Sequence, residues 1–192
     1  MAINIKQFIK DYKEAFGHMA ALPIAFWHSD TPIAEPEKIG GCFFPVLEDA
    51  RCGYPVSLDA ETSPCKYINF QRLDLMDESI EYYGVLIFAS PDILSGLVSW
   101  AYFDNASQDA VAVPWGSGCS TTIRAVIKEN DLQGRQCFIG LFDPSVRTKV
   151  HKNELMFAIP KSRLEEMAEY IHDTCLFNGK AWQKVRERIN PE

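Results

Sequence analysis

EYYGVLIFASPDILSGLVSWAYFDN, residues 81–105, changes its periodicity halfway along, and that change decides the fold. Residues 81–90 form an almost continuous apolar run, the pattern of a strand buried on both faces. At Ser90–Pro91 the pattern turns helical. Ser90 offers a side-chain oxygen as N-cap, and Pro91 suits the first helical position, where a backbone N–H has no partner to lose. DAVAVPW (109–115) then reads as a second, short buried strand and GSGCSTT (116–122) as a corner. A helix is expected over Ser120–Glu129. Strand–helix–strand–helix order between 81 and 130 favours layered α/β packing.

Outward from this centre the chain is less regular. Ile3–Phe16 has apolar residues at 5, 8, 9, 12, 15 and 16, a helical spacing, and Gly17 stops it. LPIAFWHSD (22–30) reads as a short buried strand running into a turn. Glu37–Arg51 reads as a helix despite Gly40, Gly41 and Pro45, and 53–80 as irregular chain with short pieces of strand. RQCFIGLFDPS (135–145) and ELMFAIPKS (154–162) are further strands. One long helix is expected over SRLEEMAEYIHDTCLF (162–177), followed by Gly179, and a short last one over KAWQKVRERI (180–189). No internal repeat, low-complexity run or linker stands out. The expectation is a single domain over 1–192, an α/β (α+β-like) layered sandwich with a mixed sheet flanked by helices.

Composition narrows the function. The 192 residues are 47% hydrophobic and 23% charged, an ordinary globular balance. No apolar run reaches the ~20 residues that span a bilayer, and the amphipathic start lacks the apolar core of a secretion signal, so a cytoplasmic protein without a membrane partner is expected. The net charge is −7. Residues 30–109 carry 14 Asp/Glu against 4 Lys/Arg, whereas 147–192 carry 9 Lys/Arg against 7 Asp/Glu. Without a basic stripe the chain lacks the means to hold phosphate backbones, which argues against nucleic acid as a partner. The last helix and the aromatic content suit a homodimer.

The corner at 116–119 is where chemistry is expected. Gly116 and Gly118 allow backbone angles closed to other residues and let a ligand approach the chain. The first N–H groups of the next helix lack intrahelical partners and carry the positive end of its dipole. Such a place favours an anion, either a bound one or the thiolate of Cys119. The segment lacks the lysine and spacing of a phosphate-binding P-loop and the second glycine of a nucleophile elbow. Its plain alternative is a tight turn, capped by Ser117 or Ser120, with Cys119 as filler.

Six cysteines stand at 42, 52, 65, 119, 137 and 175. A reducing compartment argues against disulfides. Cys137 and Cys175 fall within apolar patterns and read as core. Cys42, Cys52 and Cys65 lie among glycines and prolines, without the paired spacing of a zinc site. Of four histidines, His28 at a strand end is the one to consider as a ligand. Trp27, Trp100, Phe43, Phe44, Tyr82 and Tyr83 read as core, while Trp115, next to the corner, could wall a pocket.

FASPDILSGLVSWAYF, AVPWGSGCSTTI and GLFDPSVRTKVHKNELMFAIP, with LPIAF and CFFPVLEDARCGYPVSLDAETSPC before them, resemble the DUF169 family of prokaryotic proteins over about residues 15–180. The resemblance implies positions rather than an activity: Cys42, Ala50–Arg51, Cys65, Gly116–Cys119, Asp143, Arg147 and Glu154. Cys52 falls outside it.

Three functions compete. In the first, Cys42, Cys65 and Cys119 hold zinc or an iron–sulfur cluster, with a fourth position open to Asp143, a histidine, substrate or water. In the second, Arg51, Trp115, Gly116, Ser117, Gly118, Ser120, Asp143 and Arg147 surround a small organic anion, Arg51 by its bidentate fork. In the third, Cys119 is the nucleophile of a thiol enzyme. Asp143 with Arg147, and Glu154 with Arg147 or Arg124, are also candidates for purely structural pairs.

Overall fold

Residues 3–38, 44–59, 65–105, 107–115 and 120–191 are described by the computed structural model. Their strands are β1 Ile24–Ser29, β2 Pro36–Glu37, β3 Val56–Asp59, β4 Tyr67–Arg72, β5 Gly84–Ala89, β6 Val111–Ala112, β7 Cys137–Gly140 and β8 Leu155–Pro160. Their helices are α1 Ile5–Phe16, α2 Phe44–Arg51, α3 Pro91–Phe103, α4 Ser120–Asp131, α5 Pro144–Arg147, α6 Lys161–Glu169, α7 Cys175–Asn178 and α8 Lys180–Ile189.

The deciding stretch folds as its periodicity implies. Every residue of β5 is buried. Ser90 caps α3, its side chain accepting from the Ile93 N–H, and Pro91 stands at the helix start. The strands form one mixed sheet in the order β2-β3-β4-β1-β5-β8-β7-β6. Only the outermost pairs, β2/β3 and β6/β7, are parallel. Two buried layers sandwich the sheet. On one face α1, α3, α6 and α8 cover Trp27, Val85, Ile87, Phe157 and Ile159. On the other, α2 and α4 cover Ile24, Phe26, Leu86, Phe88 and Met156. The mixed sheet with helices on both faces is the architecture expected from the sequence.

Several elements differ from their sequence reading. Of the helix foreseen over Glu37–Arg51, Phe44–Arg51 is helical, Pro36–Glu37 is instead an edge strand, and 39–43 lie outside the described residues. The irregular 53–80 holds two real strands, β3 and β4. The buried strand foreseen at 109–115 shrinks to Val111–Ala112, half-buried at the sheet edge. The long helix foreseen over 162–177 ends at Glu169. A 3-10 turn follows, and Thr174 restarts the chain as α7 by accepting from the Leu176 N–H. That break turns Cys175 outward, so it is exposed rather than core.

The topology holds a repeat that the residues conceal. β1 to β4 lie in the order 2-3-4-1, and β5 to β8 in the matching order 6-7-8-5. Each half has two antiparallel pairings and then a parallel one with a crossover helix, α2 or α4, both on the same face. The halves meet antiparallel at Ile24↔Leu86, Ala25↔Val85 and Phe26↔Gly84. This is a local twofold axis normal to the sheet through Ala25↔Val85, and it makes His28 the counterpart of Phe88. Side-chain character has diverged: Asn69, fully buried and hydrogen-bonded to Ser57 (2.7 Å) and Ser29 (2.8 Å), occupies the place of apolar Phe157.

Candidate functional site

The candidate residues gather at the end of the sheet where β5 and β7 finish and β8 begins. Gly140 closes β7, pairing with Met156, which pairs in turn with Phe88. Thr122, in the first turn of α4, lies on Gly140 so closely that a Cβ there would stand 2.4 Å from the Thr122 Oγ1. Only glycine lets the helix start this near the strand. Ser120, half-buried, therefore opens α4 at this end.

Arg51, the last residue of α2, reaches the same end. Its Nη2 donates to Glu154 Oε1 at 2.7 Å and its Nη1 to Oε2 at 3.0 Å. Glu48 takes a further bond at 3.3 Å. The guanidinium lies 5.0 Å from the Phe88 ring centroid, and Phe44 packs edge-on against the same ring at 6.0 Å. The fork expected to take a ligand carboxylate is filled by the protein's own Glu154. Its hydrogen bond, chiefly, raises the Arg51 pKa further against the opposing effect of burial.

Arg147 is likewise engaged. It donates to the carbonyls of Glu154 and Lys152, tying down the turn before β8. Asp143 caps α5, accepting from the Ser145 N–H at 2.8 Å and its hydroxyl at 2.7 Å. Neither of the foreseen side-chain pairings of Arg147, with Asp143 or with Glu154, is the one that forms in these contacts. Glu154 pairs with Arg51 and gives Arg147 only its carbonyl. Trp115 is 78% exposed and stands out from the fold as an open indole.

Cys42 and Cys119, with Gly116, Ser117 and Gly118, lie outside the described residues. Cys65 is half-buried just ahead of β4, whose first residue pairs with Ser29. It acts on the Tyr83 phenol, whose pKa is raised first by burial, then by Asp131 and Cys65. His28 meets that ring edge-on at 5.2 Å, and burial lowers its pKa and favours the neutral imidazole. From Phe88 to Gly84 is four residues, and from Phe26 to Ser29 three more. Roughly 23 Å of strand rise thus separates the Cys65 end from the Ser120 end. Among the described residues no three His, Cys, Asp or Glu converge on a metal position.

Two features escaped the sequence reading. The Arg51–Glu154 pair joins residues 103 positions apart, and no local pattern signals it. The other was visible in the letters: Gly40-Gly41-Cys42 precedes α2 and Ser117-Gly118-Cys119 precedes α4, each between the edge strand and the crossover helix of its half.

Among the described residues no helix is long and apolar enough to cross a membrane. No curated protein and no solved structure matches the chain. Residues 29–170 match the model of the family described as "Uncharacterised ArCR". That match runs from the last residue of β1 through α6, taking in β2 to β8 and every residue gathered around Arg51 and Glu154, and the chain belongs to the DUF169 family.

Proposed function

We propose that this protein holds a soft metal ion or an iron–sulfur cluster at each of its two glycine–cysteine segments, with Cys119 as a ligand in one and Cys42 in the other. One observation carries the reading: the repeat gives each half the same Gly-Cys segment at the same junction, between a parallel edge strand and its crossover helix. Thiolates are the soft ligands that select zinc, copper(I) and iron–sulfur clusters. A thiolate ahead of a helix N-terminus is stabilised by the unpaired N–H groups there. Cys65 does not share an ion with Cys119 in this reading. Sulfurs on one metal ion lie within ~5 Å of each other, given metal–sulfur bonds of about 2.3 Å, and its end of the sheet is far from Ser120. Arg51 and Arg147 serve as supports of the site wall, since their guanidinium groups are bound within the protein.

The test is metal and acid-labile sulfide analysis on protein purified without oxygen, with its absorption spectrum. Stoichiometric iron and sulfide, or zinc without sulfide, is expected, falling by at least about half in Cys119→Ser and in Cys42→Ser and unchanged in Cys52→Ser. Metal-free protein, or metal that survives both substitutions, would overturn the reading. Rapid selective alkylation of Cys119 in such metal-free protein would instead assign it as a nucleophile.

A further inference from the structure

The sheet ends in two edges that the repeat makes equivalent, β2 in the first half and β6 in the second. They are guarded differently. Exposed Glu35, Glu37 and Lys38 surround Pro36 at β2, and charges with a proline are what ordinarily discourage a further strand from adding to an edge. At β6 no charged side chain occurs between Ala110 and Ile123. Val113 is 50% exposed there, and Trp115 78%.

The backbone of β6 is as open as its side chains. The Cys137 N–H donates to the Ala110 carbonyl at 2.9 Å, and the parallel register pairs Val111 with Cys137 and Ala112 with Phe138. The groups of β6 that turn toward β7 are therefore those of Ala110 and Ala112. In a trans peptide the N–H points opposite to the carbonyl before it. The Val111 N–H, the Val111 carbonyl and the Val113 N–H thus point away from β7. β6 is the last strand of the sheet, and no hydrogen bond reaches these groups among the described residues. Val111 packs on the α3 side of the sheet and Ala112 on the α4 side, and alternation puts Val113 with Val111. Tyr102 of α3 stands near this edge, its hydroxyl donating to the Gln108 carbonyl at 2.8 Å just ahead of β6.

We propose that this edge joins a second copy of the chain, β6 pairing antiparallel with β6 about a twofold axis at Ala112. The Val113 N–H of each copy donates to the Val111 carbonyl of the other, and Val111 faces Val113 across the seam. Charge selects a second copy as the occupant. Each chain carries −7, so two copies repel one another except where they meet over an uncharged surface, and the β6 edge is such a surface. The area agrees. Aromatic side chains bury ~150–250 Å² each, so the exposed parts of Trp115 (78%) and Tyr102 (38%) come to roughly 250 Å² per copy. From both copies, these two rings supply about half of the ~1,000 Å² that a specific interface needs, and Val111, Val113 and the paired backbone add to it.

The experiment is light scattering on the full-length protein as it elutes from gel filtration, over a dilution series. A mass twice the 21.7 kDa of one chain is expected. Val113→Pro removes an N–H that bonds to nothing within one copy, so this variant should keep the wild-type far-UV spectrum and elute as a monomer. Trp115→Glu should do the same by setting like charges against the seam. Leu132→Glu, at a side chain 67% exposed just beyond the far end of α4, should stay dimeric. Ala112→Cys reads the register. Directly opposite residues of a non-hydrogen-bonded antiparallel pair have Cα atoms ~4.5 Å apart, within disulfide reach. Mild oxidation should therefore link position 112 of one copy to position 112 of the other, as located by mass spectrometry. Three results would each overturn the proposal: a monomer at every concentration, a dimer that survives both Val113→Pro and Trp115→Glu, or an oxidised Ala112→Cys protein without the 112–112 link.

Discussion

His28 and Phe88 are the same position in two halves of one plan, and the difference between them sets a pH response. Burial lowers the His28 pKa, so the folded protein holds this imidazole neutral. The unfolded chain takes up its proton near the ordinary value of about 6.5. As pH falls through that value the unfolded state binds more protons than the folded one, and stability falls with it. His28→Phe, which copies the counterpart residue, should flatten the dependence of Tm on pH between about 7 and 5. An unchanged slope would place the acid sensitivity elsewhere. The cysteines offer a second test. Burial, above all, pushes the Cys137 thiol up to about 12, while Cys52 and Cys175 are exposed. Thiol labelling of native protein followed by mass spectrometry should modify Cys52 and Cys175 quickly and Cys137 only after unfolding.

At the scale of elements, helix docking depends on what is missing from Gly96. A Cβ there would stand 2.3 Å from the Trp182 ring, which brings α8 against α3. Trp182 also donates its indole N–H to the Ala15 carbonyl at 2.8 Å, so one side chain fastens α8 to both α3 and α1. Gly96→Ala should cost about 1–3 kcal/mol by overpacking, read as a lower urea midpoint, with faster amide exchange along α8. Elements with a long, unbroken period were legible in the sequence: β5, α3, α4 and α8 fall close to their expected places. Those governed by sheet context were not. Pro36–Glu37 has no apolar signature, and becomes a strand only because β3 offers it an edge. β3 and β4 are short and set among prolines, so the pairing of β3 with β4 and of β4 with β1 is a tertiary fact rather than a local one.

For the whole molecule, the two halves are held by more than the sheet. Arg51 belongs to the first half and Glu154 to the second, and their two-pronged ion pair crosses between them with side chains 29% and 17% exposed. A double-mutant cycle of Arg51→Met and Glu154→Gln should give a coupling of about 1–2 kcal/mol, between the values for exposed and buried pairs. Additivity of the single losses would make the pair incidental. The sequence pointed to Arg51, Asp143, Arg147 and Glu154, which gather near the Ser120 end of the sheet, through a resemblance of short local stretches. It hid the partner of Arg51 and the repeat itself, since topology survives after the side chains that once recorded it have diverged, as Asn69 and Phe157 have.

The three-rung junction between β1 and β5 has a practical consequence. A cut in the exposed turn at Asp77–Ser79 leaves each piece with a full four-stranded unit and breaks no ladder. Residues 1–78 and 79–192, expressed together as separate polypeptides, should find each other and co-purify as a complementing pair. Each alone bares the apolar edge and helix faces that the other normally covers, and should aggregate.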